Sequence, residues 1–248
     1  MKTGTQKELI RMEEVSFAYE RETPVLDHMN LLVSQGESVG LIGANAVGKS
    51  TFLKLLVGLN LGHKGNLAVC GHEVNKQNLK HIREHIGYVF QDSDSQLFMT
   101  TVEEDVAFGP RNYGFAQEEI AARVEQALEK THITALRNKP IYKLSGGEKK
   151  LAAIATILSM EPDIILMDEP SVALDPSNRR NLIRLLNEMP QAKLIASHDL
   201  DFILDTCKRT ILMHQGQIIA DGPTEEILAN RELLENHGLE LPLGWQRR

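Results

Sequence analysis

Gly43-Ala44-Asn45-Ala46-Val47-Gly48-Lys49-Ser50 fits the phosphate-loop pattern G-x-x-x-x-G-K-[ST], placed between an apolar strand-like run, Glu37 to Ile42, and a helical run, Lys49 to Val57. Glycines let backbone N–H groups converge on phosphate oxygens, and a helix N-terminus adds partial positive charge. Lys49 would reach the β- and γ-phosphates, Ser50 would ligate Mg²⁺, and Thr51 would support the α-phosphate side. An accidental match would occur in about one random chain of this length in a hundred, and the strand–loop–helix setting lowers that further. The loop is therefore read as a nucleotide site.

The partner chemistry is expected at the end of a neighbouring buried strand. Ile164-Ile165-Leu166-Met167-Asp168-Glu169 supplies it, Asp168 for the metal shell and Glu169 to polarise the attacking water. Adjacent acids on a strand point to opposite sides, so the two can take different roles.

Outward from these motifs, strands alternate with helices, which predicts a mostly parallel sheet. Leu9 to Tyr19, Asn66 to Val69, Ile86 to Phe90, Asp163 to Met167 and Lys193 to Ser197 read as strands, and Gln215-Gly216 as a hairpin turn. Helices are expected at Val102 to Phe108, at Glu118 to Lys130 with one apolar face, at Ser145 to Met160, and after Asp175-Pro176. The whole is one domain over 1–248. Segments 1–74 and 162–222 form a nucleotide-binding core with a β subdomain, 75–161 a mostly helical lobe carrying Gln91, and 223–248 a short helical extension.

The 248 residues are 42% hydrophobic and 25% charged, with a net charge of -7, so no basic footprint for nucleic acid exists. Met1 to Glu13 lacks an apolar signal region, and Leu151 to Met160, the longest apolar run, is about half a bilayer span. A cytosolic protein is expected, reaching a membrane only through a partner. Cys70 and Cys207 form no motif and read as small buried residues in a reducing compartment. His81 and His85, at i,i+4 spacing, could pair on a metal, but a third ligand is not apparent and solvation is the commoner fate.

The phosphate loop alone names no function. The guanine-reading N-K-x-D tetrad is absent, since Asn75-Lys76-Gln77-Asn78 lacks its acid. Leu144-Ser145-Gly146-Gly147-Glu148 discriminates: it opens a helix with a second phosphate-binding N-terminus. Two such termini in one chain compete for one triphosphate. Two chains placed head to tail resolve this, each signature closing over the other's loop.

With these motifs in order, the sequence resembles an ATP-binding-cassette ATPase over nearly its whole length. The resemblance implies an α/β phosphate-loop fold with a mostly parallel core sheet, an antiparallel β subdomain and a helical signature lobe. It also implies that Tyr19 stacks on adenine, that Gln91 senses Mg²⁺ and water, and that His198 contacts the γ-phosphate as a switch. Ser145, Gly146, Gly147 and Glu148 would touch ATP in trans, and Ser171-Val172-Ala173-Leu174-Asp175 would cross the dimer interface. Catalysis would rest on Glu169, His198 and Lys49, with ATP and Mg²⁺ as cofactors.

A narrower resemblance, to the ATPase subunits of energy-coupling factor importers, is carried by Tyr88 to Phe98, Thr101 to Pro110, Lys149-Lys150 and the ending from Asp221-Gly222-Pro223 to Gly238-Leu239. It implies a second cassette chain, a transmembrane coupling subunit and a substrate-binding membrane subunit as partners, at the cytoplasmic face of the membrane, with cobalt, nickel or a vitamin as cargo. Docking of the membrane subunit is expected on Leu97, Phe98 and Met99. The rival, a cassette protein working on nucleic acid or ribosomes, would need a basic surface and long inserts. Two departures stand out: Ala44 and Ala46 replace the proline and glycine common in the family's loop, and Ala173 replaces a frequent glycine. If residue 46 needs positive φ, alanine costs about 1 kcal/mol there.

Overall fold

A computed structural model describes residues 7–19 and 23–246. Two sheets share the chain. β1 (Glu8–Phe17), β2 (Leu26–Ser34), β4 (Lys64–Val69) and β5 (His72–Glu73) form an antiparallel sheet in the order β2-β1-β4-β5. β3 (Ser38–Ile42), β6 (Ile86–Val89), β7 (Ile164–Asp168), β8 (Ala192–Ala196), β9 (Arg209–His214) and β10 (Gln217–Pro223) form the second sheet, in the order β10-β9-β3-β8-β7-β6. It is parallel from β9 to β6, and only β10 runs antiparallel. The crossover rhythm in the sequence thus produces the expected parallel core.

β7 shows why such a strand reads as one continuous apolar run. Ile164 and Leu166 face the core beneath the antiparallel sheet, while Ile165 and Met167 face the core on the other side. Both faces are buried, so no polar alternation is tolerated. Helix α1 (Lys49–Leu56) is held between the two sheets by Phe52, Leu53, Leu55 and Leu56, all fully buried. Truncating Phe52 to alanine would cost about 3–5 kcal/mol. α1 therefore cannot drift, and neither can the loop that opens it.

The helical lobe is built from α3 (Val102–Asn112), α4 (Gln117–Lys130) and α5 (Gly146–Leu158). α4 buries Ile120, Val124, Ala127 and Leu128, the face its four-residue spacing predicts. α3 runs one turn beyond the expected stop at Phe108 and carries Pro110 inside it. Within the segment 75–161, α2 (Leu79–His85) leads directly into β6, the strand expected at Ile86 to Phe90, which forms the edge of the core sheet. β2 is a strand that periodicity left unassigned. α6 (Pro176–Glu188), α7 (Leu200–Thr206), α8 (Thr224–Ala229) and α9 (Arg231–Asn236) complete the chain, the last two lying in the expected C-terminal extension. The hairpin at Gln215-Gly216 has both residues at positive φ, 47° and 77°, matching the twist of β9 and β10.

Candidate nucleotide site

Four neighbouring parallel strands, β3, β8, β7 and β6, end at the same edge of the core sheet. The continuation of β3 is the loop 43–48, that of β8 is Ser197-His198, that of β7 is Glu169, and that of β6 is Phe90-Gln91. Ligand sites in open α/β sheets form at such carboxyl ends. A cleft of about 550 Å³ lies there, lined by Val25, Asn45, Ala46, Gly48, Lys49, Ser50, Thr51, Gln91, Glu169 and His198. Topology thus gathers residues spread from position 25 to position 198.

The loop is shaped to receive phosphate. Gly48 sits at φ 106°, and a Cβ there would meet the Val25 carbonyl oxygen at 2.9 Å, so glycine is required. Ala46 lies at φ 63°, the left-handed conformation that costs an alanine about 1 kcal/mol. Lys49 is buried, and its Nζ donates to the carbonyl oxygens of Gly43 at 2.7 Å and Ala44 at 3.0 Å. Burial lowers its pKa, while Glu169 and Asp168 act in the opposite direction. Two neutral carbonyls compensate an ammonium poorly; a triphosphate would do so better.

The acids divide as their position on the strand requires. Asp168 closes β7, is buried, and its Oδ2 accepts from the Tyr88 hydroxyl at 3.2 Å. Burial first, and Asp168 second, push the Tyr88 phenol far above its ordinary pKa, so it stays a proton donor. Glu169 turns away at φ 46°, an uncommon left-handed glutamate. Its Oε2 accepts from Ser197 Oγ at 3.2 Å and from the His198 N–H at 3.2 Å, and stands 2.8 Å from His198 Nδ1. The carboxylate is thereby fixed at the rim of the cleft.

Tyr19 stands on exposed surface; its hydroxyl is 3.1 Å from Thr51 Oγ1 and accepts from Asn60 Nδ2 at 3.1 Å. Among the described residues it is not part of the cleft lining. Ser145 caps α5 in a reciprocal box: its Oγ accepts from the Glu148 N–H, and Glu148 Oε2 accepts from the Ser145 N–H at 2.7 Å. That bond, with Lys139, holds the Glu148 carboxyl below its usual pKa. A Cβ on Gly147 would meet Asn178 Nδ2 at 2.2 Å, so the signature glycine is also what lets α5 meet α6. Ser145 and Gly146 are exposed, and none of residues 145–148 lines the cleft. Ser171, Ala173, Leu174 and Asp175 follow Glu169; Ala173 has φ 62°, and Asp175 caps α6 through the N–H groups of Ser177 and Asn178.

The loop after Gln91 is tied to α5 by residues whose role the sequence reading missed. Lys150, almost fully buried, donates from Nζ to the carbonyls of Phe90 at 3.0 Å and Gln91 at 2.9 Å. Gln96 accepts from the Phe90 N–H at 3.2 Å and donates to Ala153 O at 2.8 Å. Apart from its place beside the signature, Lys150 gave no sign in sequence, since a helical lysine is ordinarily solvated. The expected docking row is corrected: Leu97 is buried in the lobe core, Met99 is half-buried, and only Phe98 is exposed, at 63%. The less favoured pairing of His81 with His85 on one ligand is not found. His81 stacks on His72 and faces Glu84, whereas His85 Nδ1 lies 2.8 Å from Asp163.

A phosphate loop beside a carboxylate pair at the ends of neighbouring parallel strands defines a phosphate-loop nucleoside triphosphatase. Comparison with known proteins gives the class its particular form. The ABC transporter family profile matches residues 26–172. The chain is 48% identical over 238 residues, 95% of its length, to 98% of a putative ABC transporter ATP-binding protein of Gloeobacter violaceus. It is 38% identical, over 94% of its length, to 87% of the energy-coupling factor transporter ATP-binding protein EcfA of Carboxydothermus hydrogenoformans. CbiO1 of Clostridium perfringens, described as part of the ABC transporter complex CbiONQ, superposes with a TM-score of 0.84 at 34% identity, covering 93% of this chain and 94% of that one. This chain belongs to the ABC transporter ATPase family and is an ATP-hydrolysing transporter subunit. Among the described residues, no helix is long and apolar enough to cross a membrane.

Proposed function

We propose that this chain energises an importer of the energy-coupling factor type by closing over ATP against a second cassette chain, the cargo being cobalt, nickel or a vitamin. The observation that carries the two-chain reading is the separation of Ser145 and Gly146, exposed on the lobe, from the cleft lined by Lys49, Ser50, Glu169 and His198. A signature turned to solvent leaves its helix N-terminus free for the partner's phosphates. The importer type is supported by the EcfA and CbiO1 likenesses.

The residues then act as follows. Lys49 Nζ transfers from the carbonyls of Gly43 and Ala44 to the β- and γ-phosphate oxygens of ATP. Mg²⁺, when bound with ATP, neutralises phosphate charge; the hydroxyl of Ser50, the amide of Gln91 and the carboxylate of Asp168 fit its preference for oxygen ligands. Tyr88 keeps Asp168 oriented through its hydroxyl. Glu169, anchored by Ser197 and His198, orients the attacking water and accepts its proton at Oε1 or Oε2. His198 follows Glu169 directly in this network, so loss of the γ-phosphate is felt by both. Tyr19 supplies an aromatic face for adenine, and Ser171, Leu174 and Asp175 lie at the partner's edge. Phe98, beside half-buried Met99, receives the membrane subunit in helix-in-groove fashion, placing the chain peripherally at the cytoplasmic face.

Affinity purification of the tagged chain from solubilised membranes tests this. Recovery with a second cassette and two integral subunits is expected. Recovery with ribosomes or nucleic acid instead, or with no integral subunit, would sink the importer reading.

A further inference from the structure

One ligand-rich cluster lies outside the nucleotide cleft. Cys70, His85 and Asp163 each offer a ligand atom, and these atoms lie within 4.8 Å of one another. Three separate elements deliver them: Cys70 from the turn joining β4 to β5, His85 from the last position of α2, Asp163 from just before β7. His85 Nδ1 is 2.8 Å from Asp163 Oδ2, and the Asp163 N–H donates to the His85 carbonyl at 2.9 Å, so the two are fixed side by side. The Cys70 N–H donates to the Leu9 carbonyl at 2.7 Å. Among the described residues no other group of three such side chains converges. Cys70 is only partly buried, contrary to the expectation of an inert core thiol.

The turn itself is informative. Cys70 has φ 49° and Gly71 φ 79°, the two-residue hairpin geometry that favours Asn, Asp or Gly at its first position. A cysteine there accepts a steric cost while its sulfur joins an imidazole and a carboxylate.

We infer that Cys70, His85 and Asp163 form a binding site for one borderline-soft divalent cation of the zinc class, independent of nucleotide, with water at the fourth position. Thiolate, imidazole and carboxylate are the ligand types of such ions, and three protein ligands with one open position is a regular arrangement. Mg²⁺, which demands oxygen ligands, is excluded by the thiolate. His85 and Asp163 side chains are 42% and 30% exposed, so an ion can enter. Lys7, 3.8 Å from Asp163 and on a largely exposed side chain, now lends the carboxylate positive charge and would be displaced. Binding at sulfur releases the thiol proton to solvent, while His85 ligates as neutral imidazole and keeps its one proton on the ring nitrogen that does not bind. The ion would join the β4–β5 hairpin to the starts of β6 and β7, the strands whose far ends lead to Gln91 and Asp168.

Titration of the nucleotide-free, full-length protein with Co²⁺, under a phosphine reductant, is the test. The expected result is a thiolate-to-cobalt charge-transfer band with tetrahedral d–d absorption, saturating at one equivalent and bleached by Zn²⁺ but not by Mg²⁺. Cys70→Ser should abolish the band, Cys207→Ser should keep it, and His85→Ala or Asp163→Ala should weaken binding at least tenfold. Absence of the band in the wild-type protein overturns the site, as does a band that survives Cys70→Ser. A band indifferent to both His85→Ala and Asp163→Ala overturns it equally, because the thiol would then bind alone. Should Cys70→Ser not fold, protection of the wild-type Cys70 thiol from alkylation by one equivalent of Zn²⁺ replaces it, and lack of protection refutes the site.

Discussion

Replacing Lys150 by methionine separates the geometry of the loop after Gln91 from the chemistry of the nucleotide. The residue is 3% exposed, and its Nζ holds the carbonyls of Phe90 and Gln91. Hydrogen bonds from a charged donor contribute about 1.5–3 kcal/mol each, but burying the ammonium offsets much of that. The pKa of Lys150 is lowered by this burial. Methionine keeps the stem and removes the ion, so global stability should fall by only about 1–2 kcal/mol. The loop loses its two carbonyl anchors and keeps Gln96 and the Lys149–Asp94 ion pair. If about 1.4 kcal/mol of preference for the docked loop is lost, kcat falls about tenfold. KM for ATP should change little, because Lys49 and Ser50 are untouched. The sign of the pH effect follows from the lowered folded-state pKa. The folded state binds the lysine proton less tightly, so wild-type stability gains as pH climbs through the folded pKa toward the unfolded value. The variant lacks that gain. Steady-state phosphate release, with thermal melts at neutral and alkaline pH, reads both effects. A folded Lys150→Met whose kcat stays within twofold of wild type would refute the positioning role.

Lys49→Ala should abolish MgATP hydrolysis, and near-normal turnover would undo the phosphate-loop assignment. Glu169→Gln should accumulate as an ATP-dependent dimer on size exclusion, and adding Ser145→Arg should return it to monomer; a Glu169→Gln chain monomeric at high ATP excludes the homodimer. Phe98→Asp should fold and hydrolyse ATP, since Phe98 touches Phe108 only edge-on at 4.7 Å, yet detach the chain from membranes; a stable variant that still co-purifies moves the docking face elsewhere. Ala46→Gly should relieve about 1 kcal/mol of left-handed strain, partly cancelled by the chain entropy of glycine, and so tighten ATP binding by fivefold at most; weaker binding would contradict this.

What the sequence made legible was whatever depends on local order. The phosphate loop, the acid-ended β7 and the capping Ser145 and Asp175 each carry their own backbone geometry, and each stands where it was expected. Side-chain fate was less legible. Leu97, Phe98 and Met99 look alike in a row, yet the N–H groups of Phe98 and Met99 both donate to the buried carboxylate of Asp105. That bond turns the segment so that Leu97 enters the lobe while Phe98 leaves it. Lys150 and Tyr88 serve contacts about 60 and 80 residues away along the chain, a distance no periodicity reports. Cys70 belongs with His85 and Asp163 only because a hairpin, a helix end and a strand start meet.

Three non-glycine residues, one in the phosphate loop and two in the segment after β7, share one backbone feature. Ala46 at φ 63°, Glu169 at φ 46° and Ala173 at φ 62° all occupy the left-handed region. Each costs about 1–2 kcal/mol, which persists only where surrounding contacts over-determine the conformation. For Glu169 they do: its N–H donates to the Ala196 carbonyl at 2.9 Å, and its carboxylate is held by Ser197 and His198. Strain at Glu169 is inseparable from function, because relaxing the backbone toward extended φ would swing the carboxylate off the rim of the cleft. The alanines carry no such side-chain duty. Their strain lies instead in the phosphate loop and in the loop 171–175, the segments that the proposed function sets against ATP and a second chain. A ligand or partner that binds the left-handed form would supply the compensating contacts, and the isolated chain already holds both loops in that form. The exposed Ser145 is likewise already capped in a reciprocal box, so on the proposed two-chain reading the helix start is formed before any partner arrives.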